Sequence, residues 1–457
     1  MTLFALIAAV STFIGVSEKD PRYFQTREGK TWVPVGMNIC FERLGFPREE
    51  ARAKFDAWMT AFAANGGNFM RVWLSTPWTE IMPERAYAFD REAEENLTWL
   101  VRRAEALGIR LKFTLEHFRG TKPVKTEFTD TQAKLVSFQR PLYVPYAKTM
   151  REFFSSEKCF DVYVAKARRF KELGFGDSPA VIAWETWNEI NSTGADKATW
   201  MAWSAKACAE LKRLFPNQMT LTNLGSYSAP TAYRAYAGLA KTENNDFLQI
   251  HRYLDPGAEI DVCRGPMDVL AAQAIRDLRE LDRARPLLVA EIGAVEANHA
   301  GPSKLYEKDR EGTLLHDALF APFFAGSAGC GAFWHWDHMY VHRWNLWWHF
   351  GRFAKAIEGL DPVAERFRPF YTETPRLRVY GLEGATTTVA WCRDKASDWE
   401  AELVEGRPAA VIEGERFPVP GAELSCYLPW EDRCVKCAAP VLPPFRRSIV
   451  VRCPTAR

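Results

Sequence analysis

The stretch Val181-Ile182-Ala183-Trp184-Glu185-Thr186-Trp187-Asn188-Glu189-Ile190-Asn191 decides how this chain is read. Its opening run of apolar and β-branched residues predicts a buried strand. It closes on a carboxamide beside a carboxylate, groups that are costly to bury unless they hold something. The end of this strand is therefore a candidate site. Side chains alternate faces on a regular strand, so Asn188 and Glu189 can share a ligand only if the strand end is irregular; a bulge is expected there. Glu185 has the parity of Glu189 but lies deeper, and reads as a buried, paired structural carboxylate.

Working outward, strand and helix alternate. Further strands are expected at a segment ending Gly36-Met37-Asn38, then at 68–74, 109–115, 219–223, 247–250, 287–290 and 331–333, with helices at 48–64, 91–107, 160–173, 195–214, 267–281, 308–324 and 346–359. Eight strands at roughly thirty residues per unit predict an α/β fold, a (β/α)8 TIM barrel, whose chemistry sits at strand C-termini. A doubly wound sheet would show a Gly-rich phosphate turn after an early strand, and none is present. The connection 119–158, with Pro123, Pro141 and Pro145, is long enough to form one wall of a cleft.

Three regions follow: an N-terminal segment with a β-hairpin (1–30), the barrel (31–362) and a small C-terminal β-sandwich-like domain (363–457). Met1 to Val16 is too short to span a bilayer and has no Lys or Arg before Lys19. It reads equally as the remnant of a secretory signal or as a first strand.

With 59 basic and 57 acidic residues, net charge +2, the chain has no block of either sign. Nucleic acid and acidic membrane surfaces are not expected partners, nor is a membrane span; a neutral substrate fits better, and the oligomeric state is left open. The 17 Trp include several at strand ends, which suits stacking on sugar rings. Among ten Cys, Cys434 and Cys437 form a CxxC with no second pair or nearby His, so disulfides or free thiols are expected rather than a metal. His335, Asp337 and His338 likewise predict no metal site.

Two carboxylates stand out at strand ends: Glu189 after the fourth and Glu291 after the seventh, 102 residues apart (291 minus 189). With Trp184-Glu185-Thr186-Trp187-Asn188-Glu189 and Val289-Ala290-Glu291-Ile292-Gly293, the chain resembles clan A retaining glycoside hydrolases, most closely the family-five cellulase and mannanase type, over about Trp32 to Gly359. The resemblance implies that Glu189 is the acid/base and Glu291 the nucleophile. It also matches Arg71 on strand two, His117 on strand three, His251 and Tyr253 on strand six, and Trp334 or Trp336 on strand eight. Ile190 replaces the family's frequent Pro, and Ile292 its usual Phe.

The implied activity is hydrolysis of β-linked hexose poly- or oligosaccharides by double displacement, with β-1,4-mannan or β-glucan favoured, no cofactor, and an extracellular or periplasmic location. A non-catalytic carbohydrate-binding barrel, or another clan A activity such as β-galactosidase or β-glucosidase, is the alternative. The physics fits the roles. Arg71 would keep a nucleophile ionised, or pair with Glu185, and Tyr253 would add a hydrogen bond. Glu189 should be partly desolvated, with a raised pKa. Asn188 would bind a sugar 2-hydroxyl. His117 and His251 read as hydrogen-bonded scaffolding, Trp73 and Trp187 as packing, and Trp334 and Trp336 as sugar platforms.

Overall fold

A computed structural model describes residues 12–42, 48–121, 140–419, 423–438 and 440–455. The leader reading over residues 1–11 and most of the long connection, 122–139, lie outside the described residues.

Parallel strands form the centre. Gly36–Asn38, Phe69–Trp73, Arg110–Thr114, Val181–Glu185 and Met219–Leu221 pair in chain order as one five-stranded sheet. Leu248–Leu254 and Leu287–Ala294 form a second parallel pair. Every residue of the second, third and fourth strands is buried, as expected where both faces of parallel strands are covered.

The segment expected as an eighth strand is short: Phe333 bridges both Met37 and Ile292, and the N–H groups of Ala332 and Trp334 donate to Val289 O and Ile292 O at 2.9 Å each. Asn38 reinforces this join, donating from Nδ2 to the carbonyls of Ala290 and Ala332 at 2.9 Å each. On the other side, Asp246 N–H donates to Thr220 O at 2.9 Å, and Thr222 N–H to Asn245 Oδ1 at 3.1 Å. These bonds tie the fifth strand to the approach of the sixth.

Local signals set the helix ends. Helix Arg91–Leu107 starts where the Asp90 side chain accepts from Ala93 N–H and stops at left-handed Gly108. The helix expected from Lys308 begins instead at Thr313, because the Asp309 carboxylate accepts the N–H groups of Thr313 and Leu314. All its residues through Phe324 are buried, since it packs between the parallel strands and the C-terminal sheet.

At the N-terminus, Ile14–Val16, Phe24–Thr26 and Thr31–Trp32 make a small antiparallel sheet. Ile14, Tyr23 and Phe24 pack with Ile182, Met219, Leu221 and Leu288, sealing the end of the strands opposite Glu189.

Beyond Arg368 lies a six-stranded antiparallel sheet, in the order Arg368–Glu373, Leu377–Glu383, Thr387–Asp394, Ser448–Pro454, Glu423–Leu428, Arg433–Ala438, with a separate pair Val411–Ile412 and Phe445–Arg446. Alternation divides its faces. Tyr380, Leu382, Val389 and Trp391 join the main core, while Leu377, Val379, Ala390 and Cys392 build a second one. Arg378 and Tyr380 bind Asp268, and Arg393 binds Asp317, so the sheet is pinned to two helices by buried ion pairs. All ten cysteines are free thiols.

Candidate active site

The fourth strand ends at Glu185, and the chain then turns. Glu189 has a left-handed backbone (φ 53°, ψ 53°) just before the 3-10 turn Ile190–Thr193. The expected bulge at Asn188–Glu189 is therefore corrected: strand pairing has already stopped, and a turn re-aims the side chains. Neighbouring strand ends hold that turn. Glu189 N–H donates to Asn223 Oδ1 at 2.5 Å, and Asn188 N–H donates to Glu116 O at 2.8 Å. A non-glycine residue in this conformation stores about 1–3 kcal/mol, which such contacts must offset. A ladder slip does occur beside the other carboxylate, between Val289 and Glu291.

The two carboxylates converge. Glu291 accepts from Arg71 Nη1 on one oxygen and from Tyr253 OH at 2.7 Å on the other. His251 Nδ1 lies 2.9 Å from Glu189 Oε1 and 3.3 Å from Glu291 Oε2. One ligand atom from each of Glu189, His251 and Glu291 falls within 4.8 Å of the others. Such a trio invites the question of a metal. Its atoms are already engaged by Arg71, Tyr253 and Arg119, and two guanidiniums at the spot oppose a cation.

Arg71 contacts both carboxylates considered as its partners. It is buried, binds Glu185 as well as Glu291, and donates to Asn188 Oδ1 at 2.8 Å. Burial alone would lower its pKa; the charges of Glu185 and Glu291 reverse this and raise it. Glu185 is the buried structural carboxylate expected, held by Arg71, Thr114, Lys112 at 2.9 Å and Gln249. Burial pushes its pKa up, but Arg71 and Lys112 pull it well below the carboxylate range. Lys112 falls to about 8, because burial outweighs Glu185.

The expectation of a raised pKa at Glu189 is overturned. Desolvation does push it up, but the hydrogen bond and charge of His251, then Arg119, bring it down to about 2. Arg119 Nη2 reaches Glu189 Oε2 at 3.1 Å, while its Nη1 donates to the Asn188 and His117 carbonyls at 2.7 and 3.0 Å.

The remaining expected residues divide. His117 is buried, 2.7 Å from Ser75 Oγ and stacked on Trp73; burial, then Arg119 and Arg140, depress its pKa well below the usual value. Trp187 packs among Phe118, Phe153, Phe154 and Trp203, as expected. Trp334 is half-buried and lies 5.3 Å from Trp73 between ring centres. Trp336 is fully buried against Phe41 and Trp58, so the platform reading is corrected for this residue: its faces are already covered. The sequence reading missed Lys112, Gln249, Asn223 and Arg119. The first two stand inside strands with nothing to mark them, and Arg119 opens the long connection.

No family model matches the chain. It is 30% identical over 104 residues to a mannan endo-1,4-β-mannosidase F of Aspergillus clavatus, a match covering 23% of this chain and 24% of that protein. The alignment thus spans about a quarter of the length of that curated relative. Among solved structures, a glycoside hydrolase family 5 protein from Bacteroides vulgatus superimposes with a TM-score of 0.58 at 13% identity, covering 96% of this chain and 93% of that one. An endo-β-1,4-mannanase from Thermotoga petrophila gives a TM-score of 0.53 at 13% identity, over 94% and 99%. The chain resembles family-five glycoside hydrolases and has their fold. Among the described residues, no helix is long and apolar enough to cross a membrane.

Proposed function

We propose that this protein is a retaining glycoside hydrolase that cleaves β-1,4-linked mannan by double displacement on a (β/α)8 barrel. The observation that carries the reading is the approach of Glu189 and Glu291, with carboxylate oxygens within 4.8 Å. Retaining enzymes place their carboxyl groups about 5–5.5 Å apart, whereas inverting ones leave room for water between them.

Glu291 is the nucleophile. Arg71 and Tyr253 fix both of its oxygens and stabilise the charge it needs to attack the anomeric carbon. Glu189 is the acid, then the base. In the free protein it is held ionised, so a proton must be gained when sugar enters; the sugar further desolvates Glu189 and loosens its contact with Arg119, and both changes raise its proton affinity. Asn188, oriented by Arg71, binds the sugar 2-hydroxyl. Trp334 supplies a sugar platform. Mannan is favoured because the Aspergillus relative and the Thermotoga structure are a mannosidase and a mannanase acting on β-1,4 linkages.

The test is trapping. A 2-deoxy-2-fluoro-β-mannoside with a good leaving group should label Glu291, located by peptide mass mapping. Label on any other residue, or none in a protein that turns over mannan, sinks the assignment.

A further inference from the structure

The rim of the same cleft carries a hydrogen-bonded triplet that the proposed reaction does not use. Asp255, just past the sixth strand, is buried and divides its carboxylate. Its Oδ1 accepts the N–H groups of Gly257 at 2.8 Å and Asn298 at 2.9 Å, while Oδ2 takes His299 Nδ1 at 2.9 Å. The other ring nitrogen of His299 meets Ser226 Oγ at 3.0 Å.

The backbone there is built to hold this pose. Asn298 and His299 are successive non-glycine residues with positive φ, 59° and 60°, a conformation that persists only where surroundings impose it. Asp255 imposes it from below. A Cβ at Gly257 would come within 2.5 Å of Asn298 N, so glycine is what lets the two segments close.

The imidazole that results faces the reaction centre. Its side chain is 39% exposed, against 3% for Asp255. Its ring meets the edge of Tyr253, 5.0 Å between centroids, and Tyr253 in turn holds Glu291. A buried carboxylate on Nδ1 fixes the proton at that nitrogen. Nε2 is then a fixed acceptor, and Ser226 O–H donates to it.

We infer that Asp255, His299 and Ser226 form a sugar-hydroxyl site, in which His299 Nε2 takes the Ser226 proton and leaves the lone pairs of Ser226 Oγ to accept a hydroxyl of the sugar next to the scissile linkage. Ser226 is the specificity residue, and His299, held by Asp255, is its positioning residue. The inference rests on the glycosidase reading and adds a contact made by the ground state and transition state alike.

The experiment compares steady-state kinetics on β-1,4-mannotetraose for the wild type, His299→Ala, His299→Gln, Asp255→Asn and Glu291→Gln. His299→Ala should raise KM roughly three- to tenfold with kcat nearly unchanged, the signature of lost uniform binding. His299→Gln, which keeps a polar tip, should recover part of the loss. Asp255→Asn keeps an oxygen for the two backbone donors but turns its NH2 toward His299. That inverts the tautomer, so it should match His299→Ala. If Glu291→Gln abolishes turnover while His299→Ala leaves KM untouched, the triplet inference falls and the glycosidase reading stands. A wild type inert on the oligosaccharide overturns both. Ser226-dependent hydrolysis of p-nitrophenyl acetate would make the triplet a nucleophilic centre and overturn its binding role.

Discussion

Two charged clusters lie close together at the ends of the parallel strands, and only one is open. Glu80, Glu116, Arg140 and Lys166 form a closed set: Lys166 binds both carboxylates, at 2.9 and 2.8 Å, and Arg140 reaches both as well. None of its side chains is more than 5% exposed. Glu189, Glu291, Arg71 and Arg119 likewise set two carboxylates against two cations, yet Glu189 is 21% exposed. Charge chemistry is common to the two; access separates them. The closed cluster anchors Arg140, where the chain returns from the long connection. The open one can exchange a protein contact for a substrate.

Substitutions should separate the clusters by what each one loses. Glu291→Gln should lower turnover by at least about a thousandfold, with the melting temperature near that of the wild type. Retention of a tenth of the activity would dissolve the distinction. Lys166→Met leaves two buried carboxylates to one guanidinium and should destabilise the fold by about 3–5 kcal/mol in urea, with activity per folded molecule preserved. A loss under about 1 kcal/mol would mean that the closed cluster is not anchoring.

Acid provides a finer contrast. Glu189 sits at about 2 against an ordinary 4.5. A depressed carboxylate contributes stability above its unfolded pKa and loses it as pH falls through the folded one. Wild type should therefore lose on the order of 3 kcal/mol from this group between pH 4.5 and 2, and Glu189→Gln should lack that portion of the slope. Parallel slopes in stepped-pH urea melts would count against the His251 and Arg119 contacts. The smallest effect is expected at Trp334→Ala, with KM for mannotetraose up about fivefold and little change in melting temperature. An unchanged KM would remove Trp334 from the cleft.

The strands were legible because burial on both faces writes continuous apolar runs such as Val181–Trp184. The positions of Glu189 and Glu291 followed from that framework, as did the inward burial of Glu185. The turn at Glu189 was not legible, since Asn223 and Glu116 on other strands impose it. Nor was the depressed pKa of Glu189, which depends first on the hydrogen bond from His251, brought there by the fold, and then on Arg119 in a connection with no periodicity. The eighth strand is short and lies where 331–333 was expected: Phe333 bridges both neighbours, and Ala332 N–H donates to Val289 O at 2.9 Å. The strands at 368–383 and the hairpin at 423–438 were missed because no clean alternation shows: Leu377–Leu382 is buried throughout and includes Arg378, which binds Asp268.

The pairing of Glu189 with Glu291 is tested most directly by the anomeric configuration of the first product released from β-1,4-mannotetraose, followed by proton NMR before mutarotation. Two displacements at one carbon predict the β-anomer. An initial α-anomer would mean a single displacement by water, and the two carboxylates would not be acting as nucleophile and acid/base.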